Sequence, residues 1–575
     1  MLDVKKTRLI LDTIIIGLIG AASAQLFVYL LKLVNKYSLN LIAGYTPPDV
    51  LDILKQTSRA APHHPLLIIL VLVVGGLISG FLVYTFAPEA EGHGTDTAVR
   101  AFHRSGGYIR PIVTPLKIVA SAITIGTGGS AGREGPTALF SSGVGSIYAS
   151  LKKASLEERR LFVLVGMASG LSAIFRAPIG TSIFSISVLY SGTEFESEAL
   201  IYTLLGSLIA YISTGFISGW HPIFKAAPGL EVKTVLGYLH LLILGIISGL
   251  VGILLPNIFY YTRDLFHKIN IPPHFKPAIG ALGVGIIALL LPQVLGGGYG
   301  WIQDAIDGKL ALTIMAVLIL GKLLAFSLTV SSGGSGGVFA PSLYIGAMTG
   351  GVVAALFHEN PAIFSIIGMA AVFGAAARVP LATLIMVLEM TGGYTLIAPA
   401  AVSVFLAYSI QMELTKRLKL KYASLYEAQV PDKMHSPVHQ VEHLRNILAC
   451  QLKSLSISVK EIKDKKLLNL LESGVPIKLK DGSMLIFGTL IKEMDAKMID
   501  NELFFKGARI IYIFRNGQWL HPMEIDKLKI GDEVLIHGPP PSIALVKDYI
   551  KQVSDVFSRL REQYLRQIEH AGKIL

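Results

Sequence analysis

A nine-residue glycine-rich stretch occurs twice in this chain. Gly128-Gly-Ser-Ala-Gly-Arg-Glu-Gly-Pro136 returns 205 positions later as Gly333-Gly-Ser-Gly-Gly-Val-Phe-Ala-Pro341. A second pair keeps nearly the same offset, 202: Gly166-Met-Ala with Arg176-Ala-Pro178, then Gly368-Met-Ala with Arg378-Val-Pro380. Two halves of about 200 residues therefore share one plan. Such a plan restricts the fold to a duplicated bundle whose short, Gly- and Pro-interrupted helices meet where the halves join, as in membrane transporters.

Composition shows which solvent the halves face. The 575 residues are 52% apolar and 16% charged, whereas a soluble chain is about a quarter charged. The charge is uneven, with 40 charged side chains in residues 431–575 and 50 in residues 1–430. A membrane part is thus followed by a soluble tail. Apolar runs of the roughly 20 residues that cross a bilayer lie at 9–34, 65–86, 236–261 and 310–328. The first is too long for a secretory segment and lacks a small-residue cleavage site, which makes it a retained anchor. Lys5, Lys6 and Arg8 precede it and hold the N-terminus in the cytoplasm. The single cysteine, Cys450, excludes an intrachain disulfide and a cysteine-cluster metal site, and no other metal site is expected. The net charge of +12 requires no nucleic acid, because Lys152-Lys153, Arg159-Arg160 and the stretch from Lys416 to Lys421 read as cytoplasmic loops.

The tail reads as α+β. Residues 454–459 alternate like a strand, Asp481-Gly482 and Asn516-Gly517 are hairpin turn signals, and 509–514 with 518–520 make a hairpin. After Pro539-Pro-Pro541, apolar residues recur at Ile543, Val546, Ile550, Val553, Phe557, Leu560 and Tyr564. This spacing predicts an amphipathic helix over 541–575, packing on its own domain or pairing with a second copy. The boundaries follow: a membrane domain at 1–430, with repeats at about 8–220 and 235–430, a linker at 431–453, and an α+β domain at 454–540.

Both glycine-rich repeats contain G-x-S-x-G, the nucleophile elbow of hydrolases, with Ser130 or Ser335 as nucleophile. That elbow needs a strand-turn-helix in an α/β sheet and a later acid and histidine. Apolar flanks and a duplicated setting argue against it, so no enzyme is expected. Small residues before a helix instead leave backbone N–H groups uncovered, which with the helix dipole make an anion site; alternatively they only let helices pack closely. Glu134 favours the first reading. An acid within an apolar stretch is costly and usually functional, and at the positive end of a helix its carboxylate can occupy the place of a mobile anion. It would then be a gate. The other reading is a surface-loop acid paired with Arg133.

Gly132-Arg-Glu-Gly-Pro136, Gly337-Val-Phe-Ala-Pro341 and the duplicated plan together resemble the CLC chloride channels and proton-coupled chloride exchangers, over about residues 8–430. The resemblance implies an all-α polytopic membrane protein of CLC type, with antiparallel inverted repeats of broken helices, plus a small cytoplasmic α+β domain. It implies a homodimer in the plasma membrane lipid, one chloride pathway per subunit, and both termini in the cytoplasm. Glu134 matches the family's external gating glutamate, and the backbone amides of Val338 and Phe339 match those lining the central anion site. Gly94 and Arg133 are counted with them as anion-binding residues. Tyr426, in Ser424-Leu-Tyr426, matches the tyrosine whose hydroxyl faces the anion from the inner side, with Tyr422 as the other register.

Two departures matter. The family's G-S-G-I-P corresponds to Gly92-His-Gly-Thr-Asp96, so His93 stands in place of an anion-binding serine. Either its ring donates an N–H to the anion, or the loop uses its backbone while the ring points away. Val188 stands where proton-coupled members carry an inner glutamate. The second repeat checks the register: aligning Arg176 with Arg378 sets Ser187 opposite Glu389, in Leu388-Glu-Met-Thr391, a segment in which the family's acid is structural. Lys117 and Lys322, also in apolar stretches, either raise the local positive potential that draws anions in or, as is expected first, pair internally or snorkel. The tail segments 507–517 and 528–538 resemble the TrkA-C domain of potassium-conductance regulators, which implies a regulatory site for a nucleotide or cyclic dinucleotide. No cofactor is required. The expected activity is passive chloride conduction gated by Glu134, since a valine at 188 carries no proton. The alternative is Cl−/H+ exchange, with water or another group delivering protons to Glu134.

Overall fold

The structure, a computed structural model, describes residues 4–48, 64–436, 438–439, 477–478, 482–491, 494–495, 508–515, 518–520, 527–546 and 550–551. Apart from residues 103–106, the chain divides after Gln429 into two compact units.

The first unit is helical. Its first half holds α1 (Val4–Asn35), which passes through a π-helical turn at Lys36–Asn40 into α2 (Leu41–Ala43). Then come α3 (Pro65–Phe86), α4 (Thr95–Arg104), α5 (Val113–Gly126), α6 (Glu134–Leu151), α7 (Leu156–Phe175), α8 (Pro178–Ser187) and α9 (Leu200–Ser218). The second half runs α10 (Val235–Lys268), α11 (Lys276–Leu290), α12 (Tyr299–Ile306), α13 (Leu312–Ser331), α14 (Phe339–Phe357), α15 (Pro361–Ala377), α16 (Pro380–Thr391) and α17 (Ile397–Arg417). In order, α3 to α9 correspond to α11 to α17. Among the described residues eight helical segments are long and apolar enough to cross a membrane. Four coincide with the runs read from hydropathy; the others include α9, α14 and α17, where Ser, Thr and Gly dilute the apolar signal.

The duplication extends to backbone detail. Arg176 and Arg378 end α7 and α15 in the left-handed conformation, at φ 54° and 57°, which a β-carbon disfavours. Each side chain secures the turn from the same neighbour. Arg176 donates from Nη1 to the His221 carbonyl (2.7 Å) and from Nη2 to the Ser218 carbonyl (2.6 Å), at the end of α9, while Arg378 Nε donates to Gln411 Oε1 (3.1 Å) on α17. The proline two residues after each arginine starts the next helix. Close helix crossings are duplicated as well. A Cβ on Gly145 would lie 2.0 Å from the Phe162 carbonyl oxygen, and one on Gly350 would lie 1.9 Å from that of Phe364. Only glycine allows α6 to meet α7, and α14 to meet α15, at this separation.

The second unit contains an antiparallel sheet of strands β1 (Ile477–Lys478), β2 (Met484–Leu490), β4 (Arg509–Arg515), β5 (Gln518–Leu520), β7 (Glu533–Gly538) and β8 (Ile550–Lys551); β3 (Met494–Asp495) pairs separately with β6 (Lys527–Leu528). The order is β1-β2-β7-β4-β5, with β8 on β2. The Asn516-Gly517 hairpin is present in register, Arg515 facing Gln518. Ile486, Ile510, Ile513, Val534, Ile536 and Ile543 form its core. The buried Asp532 carboxylate accepts from Arg515 Nε and Nη2 (2.7 and 2.6 Å) and from the Lys529 amide (2.8 Å), closing the turn before β7. One expectation is corrected here. The helix after Pro539, α18 (Pro540–Val546), gives way to β8, whose Ile550 pairs with Leu490. The spacing from Ile543 to Tyr564 is therefore not one continuous helix; residues 552–575, like the strand read at 454–459, lie outside the described residues.

Burial pushes the Glu533 carboxyl up to about 7 from its ordinary 4.5. The folded form keeps this proton to higher pH than the unfolded chain does. Its contribution to stability is thus complete below 4.5 and lost as pH rises through about 7. Hydrogen exchange of the β7 amides, corrected for intrinsic rates, should show less protection at about pH 8 than at about pH 5. Glu533→Gln should remove most of that difference; an equal pH response in the variant would contradict the assignment.

Candidate anion site

The two glycine-rich repeats meet at the centre of the membrane unit. Gly132 and Gly337 form an isolated antiparallel bridge, exchanging N–H···O bonds of 2.7 and 2.6 Å. Two helices therefore begin at one point: Arg133 and Val338 are the N-caps of α6 and α14. The first N–H groups of each helix have no intrahelical acceptor, and both dipoles present positive ends. The amides of Val338 and Phe339 belong to this set.

Glu134 is the first residue of α6 and is 2% exposed. Its carboxylate folds back so closely that a Cβ on Gly132 would lie 2.0 Å from Oε2. Neither oxygen completes a hydrogen bond of normal geometry. The amides of Glu134 and Ala340 point toward it, and the charges of Arg133 and Lys322 act on it. Arg133 forms no ion pair with it: the guanidinium lies 4.6 Å over the Tyr299 ring, and its Nε has no partner. Arg133 instead lines two cavities of about 230 and 370 Å³, both also lined by Lys32. Two cations thus line cavities beside the residue that precedes Glu134.

On the other side lies the loop of His93 and Gly94. Its position is tight, since a Cβ on Gly135 would fall 2.2 Å from the His93 carbonyl oxygen, and one on Gly94 would fall 3.0 Å from that of Gly135. The His93 ring, 6% exposed, lies 5.6 Å from the Tyr426 ring and 6.2 Å from that of Phe259. Tyr426, 2% exposed, packs with Phe184 and Phe373, which also pack on Phe339. Glu134, His93, Gly94, Phe339 and Tyr426 are thereby joined through direct neighbours. Tyr422 lies elsewhere, stacked on Tyr260 with its hydroxyl on the Asp264 carboxylate. Val188 is fully buried, one turn after Phe184. Two residues beyond it, the Tyr190 hydroxyl bonds to the carboxylate of Glu196.

Lys117 and Lys322, both fully buried, pair internally with backbone carbonyls. Lys117 Nζ donates to the carbonyls of Ala90 (2.8 Å) and Gly92 (2.7 Å); Lys322 Nζ donates to those of Val294 (2.8 Å) and Gly296 (2.6 Å). The pairing exposes a third duplicated motif that the sequence reading missed, Gly92-His-Gly94 with Gly296-Gly-Gly298, each glycine at positive φ except Gly297. Asp96 was missed too. Its carboxylate accepts from the amides of Glu427 (3.2 Å) and Ala428 (3.1 Å) and meets His93 Nε2 at 3.1 Å. One acid thus holds both the His93 ring and the backbone following Tyr426. The available signal was an aspartate, three residues after a histidine, where the family's motif has proline. Hydrolase geometry is absent: Ser335 Oγ bonds to Ser121 Oγ (2.8 Å) and the Ala90 carbonyl (3.1 Å), and Ser130 Oγ has no hydrogen-bond partner among the described residues.

The family described as voltage gated chloride channel matches residues 75–412. The chain belongs to the CLC family. Among curated relatives it is 32% identical to the H(+)/Cl(-) exchange transporter ClcA of Citrobacter koseri over 345 residues, 57% of this chain and 72% of that protein. To the protein of the same name from Salmonella agona it is 31% identical over 364 residues, 60% of this chain and 76% of the relative. Solved structures share the CLC fold. A slow cyanobacterial Cl−/H+ antiporter aligns with TM-score 0.62 at 23% identity, over 72% of this chain and 96% of that one. A CLC-type fluoride/proton antiporter aligns with TM-score 0.62 at 22% identity, over 75% and 99%. The CLC membrane unit here is thus a multi-span transport fold.

Proposed function

We propose that this CLC protein exchanges chloride for protons, with Glu134 as the group that alternately admits anions and carries the proton. The observation that carries this reading is a buried carboxylate without a completed hydrogen bond, at the point where α6 and α14 both begin. Ionised, it competes with an anion for those amides; protonated, it has no claim on them and yields the place. One group thereby links chloride occupancy to proton occupancy. The expectation of passive conduction rested on Val188, and the names of the relatives favour exchange over it. With a valine at 188, another route must bring protons to Glu134. In planar bilayers with symmetric chloride and a pH gradient, exchange gives a reversal potential away from zero, whereas an anion channel reverses at zero.

The remaining parts follow the family resemblance: a homodimer of the plasma membrane, both termini cytoplasmic in keeping with Lys5, Lys6 and Arg8, and a tail that acts as a TrkA-C-like regulatory domain for a nucleotide or cyclic dinucleotide. The anion-site residues all precede Val430, so deleting residues 440–575 should preserve anion transport and abolish any response to an added cyclic dinucleotide. An unaltered response in the truncated protein would contradict the regulatory role.

A further inference from the structure

The buried imidazole of His93 is half satisfied. Nε2 meets the Asp96 carboxylate at 3.1 Å, while Nδ1 is buried with no hydrogen-bond partner, on a ring beside Tyr426. The carboxylate assigns the tautomer: Nε2 carries the proton and donates it, and Nδ1 presents a lone pair. We propose that His93 and Asp96 form a proton-binding dyad in the anion pathway, in which Nδ1 takes up a proton together with the chloride that occupies the site. The inference rests on the anion-site reading given above and assigns to that site a second proton-binding group besides Glu134.

Two unfavourable states are coupled at Nδ1. A proton on Nδ1 without an anion leaves a buried N–H donor unsatisfied, and a chloride against a neutral Nδ1 faces a lone pair. Occupying both removes both penalties, because the Nδ1–H donates to the chloride while Asp96 balances the imidazolium at Nε2. Each ligand must then favour the other by the same factor. The proton comes from solvent, and no bond other than N–H is made or broken.

The surroundings suit the role. α4 supplies Asp96 itself, on which Arg100 of the same helix acts. From α10 it faces Phe259 and Tyr260, whose hydroxyl lies 3.4 Å from Asp96 Oδ2. From α5, Lys117 holds the Gly92 carbonyl, with Glu91 acting on that lysine, and from α6, Gly135 places Glu134 next to the loop. The chain after α17 contributes the Tyr426 ring and the Glu427 amide. Asp96 is a positioning residue: it fixes the ring through Nε2.

The experiment is calorimetric titration of the purified full-length protein with chloride, in buffers of differing ionisation enthalpy. It uses the Glu134→Gln background so that the gate contributes no proton. The expected result is uptake approaching about one proton per chloride, with chloride Kd rising by up to about tenfold per pH unit toward the alkaline end. Adding His93→Ser should abolish the uptake and flatten the profile. Adding Asp96→Asn should move the onset of the affinity loss to lower pH, since the imidazolium loses its counter-charge. Chloride binding without proton uptake in Glu134→Gln overturns the dyad and leaves the anion site standing, as does uptake that survives His93→Ser. If no variant binds chloride at any pH, the anion-site reading fails and the dyad with it.

Discussion

Glu134→Gln should abolish proton movement driven by a chloride gradient while chloride still passes. The amide is nearly isosteric, so the bridge between Gly132 and Gly337 and the starts of α6 and α14 stay in place. It carries no charge to compete with chloride for the backbone amides and no proton to exchange, so the two fluxes separate. A tenfold loss of proton flux corresponds to about 1.4 kcal/mol, and the loss expected here is at least that large. Chloride flux should also lose the increase with acid that protonation of Glu134 supplies, leaving the pH response assigned to His93. Flux assays in liposomes, with chloride and proton electrodes read together, measure both. Full proton transport in Glu134→Gln would show that another group is the gate.

The second large effect is structural. Gly135→Ala should eliminate transport and markedly destabilise the membrane unit. A Cβ there would fall 2.2 Å from the His93 carbonyl oxygen and 2.9 Å from the Gly337 Cα, both backbone atoms that no rotamer change can move aside. Relieving the clash means displacing the His93 loop or prying apart the two helix starts, at a cost of about 3 kcal/mol or more by analogy with overpacked cores. Gly283→Ala is the control. Its Cβ would meet only the Leu328 side chain, at 3.1 Å, which can rotate away. Thermal unfolding in detergent and chloride flux should separate the two variants clearly. A Gly135→Ala protein with unaltered stability and flux would contradict the close approach on which the site geometry depends.

The duplication was legible because its residues are constrained twice, once in each half. Glycines that permit backbone contact, prolines that start helices, and the arginines at 176 and 378 all recur for the same local reason, so the order of α3 to α9 and α11 to α17 follows from them. Glu134 was legible because an acid in an apolar stretch has few structural uses. Helix α14 was not legible as a span by hydropathy, since its glycines and small residues face other helices and not lipid. Asp96 could not be recognised either. Its partners, the amides of Glu427 and Ala428, lie 331 and 332 residues away and are backbone groups, which leave no trace in the sequence. Lys117 and Lys322 show the reverse case, where the chemistry is visible and its use is not. Each of these ammonium groups bonds to two carbonyls that could belong to any residue.

The central claim is that Glu134 exchanges chloride for protons even though residue 188 is a valine. The most direct measurement is uphill proton movement in liposomes containing the purified full-length protein, with an outward chloride gradient and no initial pH gradient. The voltage dissipated on adding a protonophore separates a coupled proton flux from an electrical leak. The account predicts proton uptake against its own gradient that stops when the chloride gradient has run down, and that Glu134→Gln abolishes. Chloride efflux with no proton movement other than that driven by the membrane potential would contradict it and return the protein to the class of anion channels.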